Sequence, residues 1–219
     1  MIGPFIKWAG GKGQLLDQFQ PFLPSTLQGR GYVEPFMGSA AVFYYVVQTR
    51  KPERCTLLDI NSDLVNLYVQ VRDQVDRLIE ALTVHRDQHN KSGISGEDRK
   101  AYYYGVRAAG PIAGPVEAAA RFLYLNKTCF NGLYRLNSKG QFNVPMGSYK
   151  KPNIFDEAHL KAASNLLQNV TIEACSFRDA ERFVENDDFV YLDPPYEPVS
   201  KTSSFTSYAK DGFTKDDQL

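Results

Sequence analysis

"YVEPFMGSAAVFYYVVQTRKPERCTLLDI", residues 32–60, reads as strand, helix, strand. "YVEPF" is an extended apolar run that stops at the turn Met37-Gly38-Ser39, "AAVFYYVV" is an apolar helix, and "CTLLDI" is an apolar strand closing on Asp59. Strands joined through a helix run parallel, and their apolar character on both faces means that both faces are covered. Two later stretches, "NVTIEACSF" (169–177) and "DFVYLDPPY" (188–196), have the same character, so the parallel sheet resumes after residues 62–165. The expectation is one α/β domain made from 1–61 and 166–219, carrying an inserted helical subdomain at 62–165.

Within the insertion, Leu64, Leu67, Val71, Val75, Leu78 and Leu82 form one helical stripe with a break expected near Arg72-Asp73. "HNKSGISGEDRK" (89–100) reads as a surface loop. "VEAAARFLYLNK" (116–127) is a helix that hands over to "TCFNGLYRLNSKGQFNVPMGSYKKP" (128–152). Turn signals at Asn131-Gly132 and Ser138-Lys139-Gly140 make that piece a loop and hairpin lying outside the core.

The 219 residues are 43% apolar, which suits a globular chain, and 25 basic residues balance 25 acidic ones. No window approaches the ~20 apolar residues of a membrane span, and the first residues lack a basic segment followed by a long apolar run. The chain therefore reads as cytoplasmic. Cys55, Cys129 and Cys175 are scattered, which indicates neither a disulfide framework nor a metal site. Between Glu117 and Asp156 there is no acid, while Arg121, Lys127, Arg135, Lys139, Lys150 and Lys151 fall in that window. Such a stripe is the footprint of phosphate contact or a solvated face.

Chemistry-bearing residues gather at the expected carboxyl ends of the strands, where doubly wound sheets bind their ligands. The turn "PFMGSAAVF" opens a helix but lacks the GxGxxG of a pyrophosphate site. Asp59 stands either where an acid grips a ribose or where it caps the next helix. Gly10-Gly11-Lys12 lacks the spacing of a phosphate loop, and reads instead as a turn that wraps a small ligand, with Trp8 packing on it and Lys12 meeting a carboxylate. In "LDPPY" two prolines end the strand and stiffen Asp193. Asp193 and a carbonyl of the proline turn can accept both hydrogens of an exocyclic amine, while Tyr196 offers a face to a planar base. Orienting such a weak nucleophile points to an electrophile of the sulfonium methyl type.

These motifs, together with "KWAGGK" (7–12), "LLDIN" (57–61) and "SFTSYAKDGFT" (204–214), resemble the Dam-type DNA N6-adenine methyltransferases along essentially the whole chain. The resemblance implies a Rossmann-like S-adenosylmethionine-dependent methyltransferase sheet with an inserted target-recognition subdomain and hairpin. It implies S-adenosylmethionine held by Trp8, Lys12, Asp59, Asp193 and Phe177. It further implies that Asp193, Pro194 and Tyr196 grip a flipped adenine. Duplex DNA, at GATC, would be read by Lys7, Phe130, Asn131, Arg135 and Pro145. Neither metal nor membrane is implied, and the oligomeric state is left open. Enzymes of this type continue beyond a point matching "FTKDDQL", so the alternative expectation is a C-terminally truncated GATC-binding protein with weak or no turnover.

Overall fold

The computed structural model describes residues 1–91, 93–110 and 112–195. Their elements are α1 (Leu16–Phe19), β1 (Gly31–Glu34), α2 (Ala41–Thr49), β2 (Arg54–Asp59), α3 (Ser62–Asp73), α4 (Val75–His89), α5 (Gly96–Ala108), α6 (Pro115–Thr128), α7 (Glu157–Leu167), β3 (Val170–Ala174) and β4 (Phe189–Val190). The strands form one parallel sheet of order β3-β2-β1-β4, a Rossmann-like α/β arrangement. β1 is buried at every position, its carboxylate Glu34 included, while edge strand β3 buries Val170 and Ile172 and exposes Thr171 and Glu173.

β4 pairs with β1 over only two residues, so something besides the ladder must hold it. That role falls to Asp188. Its carboxylate accepts from the Gly31 N–H (2.9 Å), the Arg54 guanidinium (2.6 Å) and the Glu185 N–H (2.8 Å), joining the start of β4 to β1 and β2. Gly31 has no room for a side chain there, because a Cβ would lie 2.6 Å from Asp188 Oδ1.

The helices follow the sequence closely, with three differences. The stripe over 64–82 is two helices, α3 and α4, broken at Gln74 (φ −138°, ψ 34°), just beyond the expected break. Of the stretch read as a loop over 89–100, the described residues outside helices are 90, 91 and 93–95. His89 ends α4 in a buried position, and α5 starts at Gly96, capped by Ser95, whose Oγ accepts from the Asp98 N–H (3.0 Å). Thirdly, 128–152 is antiparallel but carries only two isolated bridges, Cys129–Met146 and Leu136–Phe142, and it is not wholly outside the core, since Cys129 and Val144 are buried. α5 anchors its returning limb: Tyr103 and Arg107 donate to Val144 O (2.9 and 3.1 Å), and Arg99 donates to Lys150 O (3.3 Å).

α3, counted with the insertion on sequence grounds, packs on β2 and β3, while α6 packs on α3, α4 and α5. A single apolar core runs from the sheet through α2 and α3 into α4 and α6. Cys55 and Cys129 are buried in it as free thiols, and Cys175 is half-buried. Among the described residues no helix is long and apolar enough to cross a membrane.

Candidate functional site

The carboxyl ends of β1, β2 and β4 converge on one place. At the end of β2, Asp59 accepts from the Gly38 N–H through Oδ2 (3.0 Å) and from the Asn61 N–H through Oδ1 (2.9 Å). It thus ties the β1–α2 turn to the β2–α3 turn. The cap of α3 is Asn61, whose Oδ1 accepts from the Leu64 N–H (3.1 Å), so the helix-cap alternative for Asp59 falls away. Burial pushes the Asp59 carboxyl up, and the backbone N–H groups of Asn61, Gly38 and Ile60 pull against that.

Gly38 is in the left-handed region (φ 48°), and a Cβ there would lie 2.9 Å from Trp8 Cδ1. The turn therefore needs glycine twice over, once for its backbone and once for the approach of Trp8. From Trp8 the chain turns through Gly10 and Gly11 and sends Lys12 inward. Lys12 is 8% exposed; its Nζ donates to Gly10 O (3.0 Å) and forms an ion pair with Asp193 Oδ2 (2.8 Å). The carboxylate expected to meet Lys12 is thus a protein one. Phe177 opens the turn after β3 and stacks on Phe36 (5.3 Å, 26°); the Cys175 N–H donating to Asp59 O (3.1 Å) holds that turn beside β2. Pro194 follows Asp193 and is half-buried, and Tyr196 lies outside the described residues.

Sequence reasoning passed over Glu34 in this place. It is buried at the end of β1, where Tyr32 donates to Oε2 (2.8 Å). Burial pushes its carboxyl up to about 8, opposed by the Tyr32 hydroxyl and the Phe43 N–H and reinforced by the charges of Asp193 and Asp59.

The residues expected to read DNA gather on a second face. Phe130 is 49% exposed, Asn131 adopts a left-handed conformation (φ 53°), and Pro145 is exposed with its carbonyl accepting from the Phe130 N–H (2.9 Å). Arg135 is exposed, and its Nε donates to Asn143 Oδ1 (2.7 Å). Lys7 reaches this face from the N-terminal segment, with Nζ 4.5 Å from the centre of the Tyr149 ring and 3.3 Å from its hydroxyl. Asn126 makes that meeting possible. Its Oδ1 accepts from the Lys7 N–H (3.0 Å), and its Nδ2 donates to Lys7 O (2.7 Å) and Gly132 O (3.2 Å). An amide within the apolar run "FLYLNK" was the available signal for it.

The basic stripe divides. Arg135, Lys139, Lys150 and Lys151 are exposed. Arg121 instead donates to Val106 O, Arg107 O and Ala109 O at the end of α5, so it belongs to neither the phosphate footprint nor a solvated face. Lys127 is half-buried, and burial followed by the nearby Lys7 charge pushes its amine down to about 8.

A carboxylate held by a lysine at the sheet's carboxyl edge, beside aromatic walls and a basic hairpin, suits transfer chemistry on a nucleic-acid base. The profile of the D12 class N6 adenine-specific DNA methyltransferases matches residues 8–219. The chain belongs to this family. This D12 methyltransferase is similar to the type II methyltransferase M.MjaIII of Methanocaldococcus jannaschii, at 47% identity over all of the chain and 77% of the relative. The type II methyltransferase M1.LlaDCHI of Lactococcus lactis is 41% identical over all of the chain and 74% of its own length. The DNA adenine methylase of Escherichia coli K12 is 38% identical over 98% of the chain and 72% of its own length. The D12 methyltransferase is accordingly an adenine-specific DNA methyltransferase, acting on DNA with a methyl donor. Among its described residues no group of three or more His, Cys, Asp or Glu is placed to hold a metal ion.

Proposed function

We propose that the enzyme transfers the methyl group of S-adenosylmethionine to N6 of an adenine extruded from duplex DNA, within GATC. The observation that carries this reading is the Lys12–Asp193 ion pair at the edge of the sheet, made by the turn that starts at Trp8, with Asp193 and Asp59 both acting on the buried Glu34. The residues present fit the cofactor. Asp59 and Asp193 are carboxylates suited to a ligand with hydroxyl, ammonium and sulfonium groups, Phe36 and Phe177 are a stacked pair suited to a flat base, and Gly38 lets Trp8 close onto the β1–α2 turn as an aromatic wall. When bound, S-adenosylmethionine supplies an electrophilic methyl group on a cationic sulfur.

The chain's own residues do the rest. Lys12 holds Asp193 Oδ2, leaving Oδ1 to accept a hydrogen from the adenine amine. A carbonyl of the proline turn after Asp193 takes the second hydrogen, and Tyr196 stacks on the base. With both hydrogens bound, the nitrogen lone pair is aimed rather than delocalised into the ring. Base extrusion costs a few kcal/mol, which stacking of about 1–3 kcal/mol per base offsets. On the hairpin, Arg135 reads a guanine edge, with its Nε restrained by Asn143. Asn131, Pro145 and Lys7 lie along the groove, and Phe130 enters the base stack. GATC itself is proposed from the likeness of this hairpin to that of Dam-type enzymes.

The test is incubation with labelled S-adenosylmethionine and plasmid DNA, followed by cleavage with nucleases that distinguish methylated from unmethylated GATC. Labelled DNA that is protected only at GATC is expected. Equal labelling of plasmid lacking GATC would remove the sequence assignment, and wild-type labelling by Asp193→Ala would remove the mechanism.

A further inference from the structure

The recognition hairpin and the cofactor wall share a side chain. Tyr134, one residue before Arg135, stacks its ring on Trp8 with centroids 5.5 Å apart and an interplanar angle of 29°. The same ring touches Phe122 (5.4 Å) and Phe142 (6.0 Å), and its hydroxyl donates to Asp63 Oδ2 (3.3 Å) in the first turn of α3. Trp8 in turn sits against the Gly38 turn, where there is no space for even a Cβ. The line Arg135, Tyr134, Trp8, Gly38 is therefore continuous, running from the DNA face to the backbone that Asp59 grips.

We propose that Tyr134 is a positioning residue that couples the two halves of the site, so that seating the hairpin on duplex DNA sets the place of Trp8 in the cofactor wall. This rests on the reading of Trp8 and Arg135 given above. The physical warrant is packing. A ring with three aromatic neighbours and a bonded hydroxyl cannot shift with Arg135 and leave Trp8 where it was without opening a gap, and close-packed interiors move between discrete arrangements. Coupling of this kind is reciprocal: DNA tightens the cofactor by the same factor as the cofactor tightens DNA.

Trp8 is the only tryptophan of the chain, so its emission reports the wall directly. The experiment titrates the full chain with S-adenosylhomocysteine and, separately, with a short GATC duplex, following tryptophan fluorescence. The dissociation constant of S-adenosylhomocysteine is then measured with and without duplex. Wild type, Tyr134→Phe and Tyr134→Leu are compared after circular dichroism has shown each to be folded. In wild type both ligands are expected to change the emission, and the duplex to tighten S-adenosylhomocysteine about 5-fold or more. Tyr134→Phe keeps the stack and is expected to keep most of that factor. Tyr134→Leu should still respond to S-adenosylhomocysteine but lose the duplex response, with the factor falling to about 1. Persistence of the duplex response and the factor in Tyr134→Leu, or their complete loss in Tyr134→Phe, overturns the role of the Tyr134 ring. A wild type whose Trp8 emission ignores S-adenosylhomocysteine overturns the cofactor reading, and this inference with it.

Discussion

Glu34→Gln should make the enzyme more stable in alkali and leave it nearly unchanged in acid. The Glu34 carboxyl is buried at the end of β1, accepts from Tyr32, and is pushed from the usual 4.5 up to about 8. In the unfolded chain the same group ionises near 4.5. Between those values the folded state therefore holds about one proton more than the unfolded state, so stability falls as pH rises through the window. At about 1.4 kcal/mol per pH unit, the interval from 5.5 to 8 removes about 3 kcal/mol, after allowing for half-ionisation at its upper end. Glutamine keeps an acceptor for the Tyr32 hydroxyl and never ionises. Urea unfolding of both proteins at pH 5.5, 6.5, 7.5 and 8 measures the effect, because titration of every other group appears in both and cancels. The glutamine variant should lead by about 1 kcal/mol at pH 5.5, where the unfolded glutamate is already ionised, and by about 4 kcal/mol at pH 8. A difference that stays flat across the series refutes the assignment of a proton to Glu34.

Other expectations concern the site and the helical layer. Gly38→Ala places a Cβ 2.9 Å from Trp8 at a positive φ, so the KM for S-adenosylmethionine should rise about 10-fold or more while the KM for DNA changes little, as read in steady-state assays. Lys12→Met strands the Asp193 carboxylate and should lower kcat by on the order of 100-fold, with Lys12→Arg recovering part of it. Arg135→Ala should relax choice at one guanine by about 10-fold or more, since a bidentate contact is worth ~1–3 kcal/mol; unchanged ratios of activity on GATC and its one-base variants would contradict this. His89 is buried and His85 half-buried, and desolvation pushes both down to about 4, so the unfolded state binds more protons below 6.5 and stability falls as pH drops from there to about 4. His89→Gln should make that acid slope shallower by roughly 1–2 kcal/mol in melts at pH 7 and pH 4.5.

The parallel sheet was legible because burial on both faces leaves continuous apolar runs, and because Gly38, Asp59 and Asp193 interrupt those runs at their carboxyl ends. What stayed hidden depended on partners far away in the chain. Glu34 reads as an ordinary strand residue until its burial and its bond from Tyr32 are seen. Arg121 looks like a surface cation until the carbonyls at the end of α5 appear around it. The start of α5 was legible in principle, since Ser95 and Asp98 have capping spacing, but Gly93 and Gly96 on either side of Ser95 outweighed it. The brevity of β4 could not be seen, because Asp188 replaces the missing ladder with side-chain bonds.

The ties that hold the N-terminal segment also bear on the order in which the molecule assembles. Gln48 exchanges two hydrogen bonds with Ile2, His159 bonds Gly3 O across 156 positions, Asn126 grips Lys7 across 119, and Tyr149 meets Lys7 across 142. Ile2, Gly3 and Lys7 thus find their places only after α6, the hairpin and α7 exist. Contacts of such sequence separation form slowly, because loop closure precedes any gain from them. The turn bearing Trp8 and Lys12 follows directly on this segment, so refolding should show the sheet and helices forming before Trp8 reaches its final environment. Activity would then appear in the last kinetic phase.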